Sequence, residues 1–487
     1  MPAQDALLVV PYSRTYTQRL PWGLMYISAY LESKGLSSSI ADYKGVTSEE
    51  ARRLILERIG NEKPPVIGIT CTGAELWVVS DLCNKIRALS PASRIVIGGP
   101  HASACPFHFS DAGLDFDYLV IGEGEVTFYE LVSALTKGSA AEGIAGLAYK
   151  SGGVLKFTPA RPLIADLDSL PFPAYDKIDM EYYCRPNVWA IRSVYLSSFN
   201  MFTARGCCFS CKFCAEHAVF GRKVRSMSPG RIADHIEKVL ALYRVDAIYF
   251  MDEIFTVNMV KLRELFAELR KRGIKILFGC QTRANLLNEE ILSFLKENGC
   301  LQVDLGVESG SSRILEIVNK QVSLEAIDSA ASAFRKTGVR CLANMLVNVP
   351  GENLKDIDDS VSLVRRSRYN VVLWNVYTPF PGVAFDRVMD LEDLNTMLDY
   401  PSEKAIDTLE EKYKFGDYSL SIRGLLDRVY SETFHPKHIR FRLSPSYWTG
   451  ALRMFSYILD TRYLSALARS RRKAQYLINL FRQRSAT

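Results

Sequence analysis

The 487-residue chain has no apolar run near the roughly 20 residues that cross a bilayer. Its start, MPAQDALLVV, lacks the basic stretch of a secretory leader. ALLVV therefore reads as a first β-strand, and the expected compartment is cytoplasmic. An even cysteine count is missing as well: eleven thiols without a leader argue against a disulfide framework. No GxGxxG follows the first apolar segment, which leaves a dinucleotide site poorly supported. What is present is the balance of a folded chain, 48% hydrophobic and 23% charged residues, at a length that suggests two or three domains.

The formal charge of +6 is spread unevenly. Residues 433–487 carry eleven Lys and Arg against one acid, Asp460, so the rest of the chain is slightly acidic. Within this tail, 461–484 alternates apolar with basic residues. As an amphipathic helix it suits an anionic membrane surface, which makes peripheral membrane contact one expectation. RNA binding is a second, less favoured reading, and a packed helix with a solvated basic face is the plain one.

Residues 1–150 alternate strand-like runs (ALLVVPY, SSSIADY, PPVIGITCT, RIVIGGP, YLVIG) with amphipathic helices, the pattern of a doubly wound, Rossmann-like parallel sheet. Proline-rich 151–193 reads as a linker. A second series over 194–390 has six strands (YLSSFNMFTA, DAIYFMDE, KILFGCQT, LQVDLGVES, RCLANMLVNVP, NVVLWNVYTP) and helices near 229–243, 258–272, 288–298, 323–337 and 354–367. Six strands are too few to close an eight-stranded barrel, so an open, partial (β/α)6 TIM-like barrel is expected. Polar residues collect at the strand ends: Asp252 and Glu253, Gln281 and Arg283, Glu308 and Ser309, Asn348, Tyr377. The last region, 391–487, reads as mainly helical.

TARGCCFSCKFC places Cys207, Cys211 and Cys214 at Cys-x3-Cys-x2-Cys in the loop after the first barrel strand. Three thiolates on a cubane iron–sulfur cluster leave one iron open to a small chelating molecule. A structural zinc site needs a fourth ligand, for which His217 is available, since Cys208 cannot readily share a metal with its neighbour.

The CxxxCxFC loop at this place in a six-stranded partial barrel resembles the radical SAM enzymes. The resemblance implies a [4Fe–4S] cluster on Cys207, Cys211 and Cys214, with S-adenosylmethionine (SAM) chelating the fourth iron. Phe213 then lies beside the adenine, and Cys208 stands where relatives often have proline. FMDEIF resembles the segment that holds the SAM amino group, which points to Asp252 or Glu253. Glu308 is placed at the ribose hydroxyls, since a carboxylate accepts both hydrogen bonds. Arg283 is placed at the SAM carboxylate, and the turn from Asn348 to Glu352 against adenine.

In front of the barrel, the turns GITCTG, IGGPHAS and IGEGEVTF resemble the cobalamin-binding domain that precedes many radical SAM barrels. Together the two resemblances cover about residues 1–390. They place Thr70, Thr72, Gly73, Gly98, Gly99, His101, Gly122, Glu123 and Gly124 around the corrin. The Asp-x-His-x-x-Gly motif that supplies an axial histidine elsewhere is missing. A base-off cobalamin is therefore expected, with the loop Glu75–Leu76–Trp77 near its lower face and His101 at the cofactor's edge or tail.

The resemblance thus implies reductive cleavage of SAM and, with cobalamin, methylation of an unactivated carbon or phosphorus of a small or lipid-like substrate, the electron coming from a flavodoxin- or ferredoxin-type donor. A cyclase or rearrangement enzyme using the same cofactors is the alternative. A non-catalytic corrinoid sensor or scaffold is the alternative from another class. A methylthiotransferase is disfavoured, because no second three-cysteine pattern lies in the N-terminal domain.

Overall fold

The computed structural model describes residues 4–12, 19–187, 190–192, 194 and 196–433. The basic segment 461–484 lies outside the described residues. Five expected strands form β1 (Ala6–Val9), β2 (Ser38–Ala41), β3 (Val66–Thr70), β4 (Arg94–Gly98) and β5 (Tyr118–Val120). They are mutually parallel in the order β2-β1-β3-β4-β5. Every residue of β1 and β2 is buried, as in a sheet with both faces covered by crossover helices. This strand order is flavodoxin-like, and it reverses between β1 and β3. At such a switch point the carboxyl ends of the strands open a crevice that takes ligands.

The sheet continues past position 150, where the sequence reads as linker. Antiparallel strands β6 (Leu147–Ser151) and β7 (Val154–Phe157) extend it, joined by Gly152 and Gly153 at φ +62° and +81°. Positive φ at both positions is what a tight hairpin turn requires, and a Gly-Gly pair meets it without strain.

A short β8 (Pro186–Asn187) runs antiparallel to β9 (Leu196–Met201). A two-residue ladder, β10 (Ala204–Arg205) with β11 (Arg225–Ser226), frames the cysteine loop. Then β12 (Ala247–Phe250), β13 (Leu277–Arg283), β14 (Cys300–Glu308), β15 (Arg340–Val347) and β16 (Val371–Val376) follow. With β9 they make six parallel neighbours, the expected open barrel, and β8 caps one edge. The barrel helices begin on side-chain caps: Ser228, Asn258, Asn288, Ser323 and Asn353 each accept from a first-turn amide.

The two sheets share one hydrophobic core. Trp22, at the start of a helix of the first domain, sets its ring edge-on against Phe199 of β9 and Phe202, with centroids 5.8 and 6.1 Å away. Helices Glu403–Lys412 and Ile422–Thr433 close the far edge of the barrel. Trp374 of β16 donates its indole N–H to Thr433 Oγ1 at 3.1 Å. Among the described residues no helix is long and apolar enough to cross a membrane.

Candidate functional site

Beyond β9 the chain is clamped before it reaches the cysteines. The amides of Thr203 and Ala204 donate to Asp252 Oδ1 at 2.6 and 3.1 Å, and the Thr203 hydroxyl to Oδ2. Gly206 follows at φ +92°, where a Cβ would stand 2.5 Å from the Lys223 carbonyl oxygen, so only glycine passes. The Cys207 amide donates to Gly221 O, the Lys212 amide to Val318 O, and the Ala384 amide to Lys212 O. The loop is thus held from three sides. Cys207, Cys211 and Cys214 are half-buried while Cys208 is exposed. Burial pushes the Cys207 thiol up and the Cys214 thiol to about 11. Both stay protonated at neutral pH until a metal takes the thiolate. Among the described residues no three His, Cys, Asp or Glu side chains converge on a point that a single ion would occupy.

Arg283, the last residue of β13, stacks its guanidinium 3.7 Å from the Phe209 ring centroid and donates Nη1–H to Cys211 Sγ at 3.2 Å. Its Nε and Nη2 are buried without a partner. Buried guanidinium donors are rarely left unmatched, and this pair matches a carboxylate. At the end of β14, Glu308 has φ +68°, and Ser309 N–H reaches back to Val307 O at 2.9 Å. This tight turn turns the strand end sharply, and Lys320 meets Glu308 Oε1 at 2.6 Å. No sequence pattern singled out Lys320.

Two of the residues expected at SAM have protein partners of their own. Asp252, considered for the SAM amine, spends its carboxylate on the 203–204 clamp. Glu253 lines a small void together with Asp252 and Glu216. Burial, then Glu216 and Asp252, push the Glu253 carboxyl up to about 8. Asn348, expected against adenine, binds the C-terminal region instead: its Nδ2 donates to Tyr413 O and its Oδ1 accepts from Phe415 N–H, each at 2.8 Å. A buried carboxamide saturates itself on whatever backbone folds over it, which the local sequence does not show.

Between the domains lies a cavity of about 600 Å³, within the range of cofactor sites. On one side it is lined by the carboxyl ends of β1, β3 and β4 and the turn after β5. On the other stand Phe213, Cys214, Ala215 and Glu216. Of the positions expected around a corrin, all but Thr72 line it. Gly99, at φ +97°, brings the backbone so close that a Cβ would lie 2.7 Å from Thr70 Oγ1. Ser103 Oγ joins two of the glycine turns, donating to Gly99 O and accepting from Gly122 N–H. His101 is buried, its Nε2 has no partner, and burial with His108 nearby lowers it to about 4, so the ring is neutral.

Thr72 and the loop behind it stand outside the cavity lining. The Thr72 hydroxyl and amide donate to Glu75 Oε2 at 2.8 and 3.0 Å, a capping box that uses up the acid. Leu76 is core, and Trp77 donates its indole N–H to Leu391 O at 2.8 Å. None of the three lines the cavity.

Glu123 lines the cavity and is also an inter-domain ion. Arg205 reaches Glu123 Oε1 at 2.8 Å and Glu125 Oε1 at 2.6 Å, while Arg225 reaches Glu123 Oε2 at 2.9 Å, and all four side chains are buried. Burial alone would raise the Glu123 carboxyl, but Arg225 and Arg205 outweigh it and hold it low. In the sequence only Glu123 of this cluster stands out, and for the corrin; its partners Arg205 and Arg225 lie 82 and 102 residues away.

A model of the radical SAM superfamily matches residues 201–364, and one of the B12 binding domain matches residues 15–132. An uncharacterized methyltransferase of Pyrococcus horikoshii is 27% identical over 438 residues, covering 88% of this chain and 92% of the relative. The anaerobic magnesium-protoporphyrin IX monomethyl ester cyclase of Rubrivivax gelatinosus is 27% identical over 422 residues, covering 84% and 72%. In fold, the chain is similar to the radical SAM methyltransferase TsrM from Kitasatospora setae, with a TM-score of 0.66 at 20% identity, covering 78% of this chain and 74% of that one.

Proposed function

Because the chain belongs to the radical SAM superfamily, in the branch that carries a B12 binding domain, we propose that it is a methyltransferase acting on an unactivated carbon of a small molecule held between the two domains. The observation that carries this reading is the shared cavity. Its glycine-lined wall belongs to the first domain, and its opposite wall is the segment through Cys214. In this reading Cys207, Cys211 and Cys214 hold the [4Fe–4S] cluster, and Gly73, Gly98, Gly99, Gly122 and Gly124 let the corrin lie close to the backbone. When bound, the cluster supplies the electron that splits SAM into methionine and a 5′-deoxyadenosyl radical, and cobalamin supplies the methyl group.

The protein's own part is placement. The unmatched Nε and Nη2 of Arg283 take the SAM carboxylate. Glu253, uncharged when alone, ionises beside the SAM ammonium. Glu308 Oε2 accepts from the ribose, and Phe213 packs beside the adenine with Val318, Val349 and Tyr377. Neutral His101 offers a ring nitrogen to the corrin's edge.

The test is anaerobic purification with a reconstituted cluster, followed by spectra and addition of SAM and reductant. Corrin bands and 5′-deoxyadenosine are expected together, and Cys211→Ala abolishes the second. 5′-Deoxyadenosine from protein that binds no corrinoid sinks the cobalamin part. The relative named as a cyclase favours a second reading, ring closure without methyl transfer. Labelled methyl from SAM, absent from the product, decides for it. Peripheral membrane contact rests on the composition of 461–484 and is checked by liposome co-sedimentation of full-length and truncated chains.

A further inference from the structure

The turn Val318–Gln321 joins three parts of the site that are far apart in sequence. Asn319 and Gln321 both have positive φ, +51° and +55°, and between them Lys320 is turned into the protein, where it is 5% exposed. Asn319 Nδ2 donates to Ser210 O and Ser210 Oγ at 3.0 and 2.9 Å, and Val318 O accepts the Lys212 amide at 2.9 Å. All three bonds fall inside the cysteine loop. Lys320 Nζ meets Glu308 Oε1 and lies 5.6 Å from the centre of the Phe213 ring.

The ion pair has its own space. A Cβ on Gly306 would stand 2.6 Å from both Glu308 Oε1 and Lys320 Nζ. Among the described residues Lys320 is the one ion-pair partner of Glu308. A buried carboxylate with a single cation on one oxygen is fixed in direction, and its second oxygen is left to accept from a ligand. Two non-glycine residues at positive φ flanking the cation are the kind of strain that a surrounding structure maintains at a working site.

We propose that Lys320 is a positioning residue for SAM: it aims Glu308 Oε2 at the ribose diol and, through the Asn319–Ser210 contact, keeps that carboxylate in register with the cluster loop. This rests on the reading that Glu308 meets the ribose. Lys320 thereby sets the preference for a nucleoside bearing both hydroxyls over one that lacks one of them.

The test is equilibrium dialysis of the cluster-reconstituted enzyme with SAM and with its 3′-deoxyribose analogue, with iron and sulfide content measured alongside. The unchanged enzyme is expected to prefer SAM by about tenfold, roughly 1.4 kcal/mol. Lys320→Met brings that ratio close to one and leaves iron and sulfide unchanged, and Lys320→Arg restores part of it. If Lys320→Met does not fold, the neutral pair Glu308→Gln with Lys320→Met decides. It must bind SAM no more weakly than Glu308→Gln alone, and weaker binding overturns the proposal. Equal weakening of SAM and analogue in Lys320→Met, or an unchanged ratio, also overturns it. An unchanged ratio in Glu308→Gln instead overturns the ribose reading beneath it.

Discussion

Arg283 joins two tasks in one guanidinium, a hydrogen bond to Cys211 Sγ and two donors without partners. Arg283→Met removes both, and SAM is expected to bind about tenfold more weakly or worse, from the loss of charge-assisted bonds worth roughly 1.5–3 kcal/mol. With Cys211 as a cluster ligand, as proposed, the cluster's EPR spectrum should shift as well, because that sulfur loses a donor. Unchanged SAM binding by dialysis refutes the assignment. Glu352 gives a pH prediction. It is fully buried, accepts from Asn348 N–H at 2.7 Å through Oε2, and its Oε1 has no partner. Burial, with Asp356 adding, raises its carboxyl to about 8. The folded protein therefore holds a proton that the unfolded chain gives up near pH ~4.3. Its contribution is full below that value and falls as pH rises through 8, by at most ~1.4 kcal/mol per unit. Glu352→Gln should flatten this decline in denaturant unfolding measured at pH 5, 6.5 and 8; an equal slope refutes it.

Among the elements, the β10–β11 ladder does the least as a sheet and the most as a joint. It places Arg205 and Arg225 against Glu123 and Glu125 of the first domain. Arg205→Met leaves buried carboxylates short of a cation, and a loss of about 3–5 kcal/mol in unfolding free energy is expected. Element boundaries were legible in advance because the signals are local. The five barrel helices read from periodicity end within a residue or so of those observed, at Leu242, Lys271, Glu297, Thr337 and Ser367. The hairpin β6–β7 occupies residues that read as linker, although its Gly-Gly turn stands in the sequence. The prolines that mark the linker begin only at Pro159, after the second strand of the hairpin.

For the whole molecule, the cavity ties the domains together, since each supplies one wall. Cobalamin binding should therefore stabilise both domains as one unit. At a hundredfold excess over Kd the gain is about 2.7 kcal/mol, read as a rise in Tm. Arg205→Met should shrink that gain by loosening the wall formed by Glu123. Separate transitions, with only the first domain stabilised, refute the coupling.

By itself the sequence determined the two α/β domains, their order, the cysteine triad and the glycine-rich edge, because periodicity, turn chemistry and metal-ligand spacing are written within a few residues of one another. Only the tertiary structure decided which polar groups remain free. Asp252 and Asn348 read as available in the sequence and are spent on distant backbone; Glu123 doubles as an inter-domain ion; Lys320 stands out in no pattern and holds Glu308. A buried donor or acceptor is satisfied by whatever the fold brings against it, and those partners lie tens to hundreds of residues away.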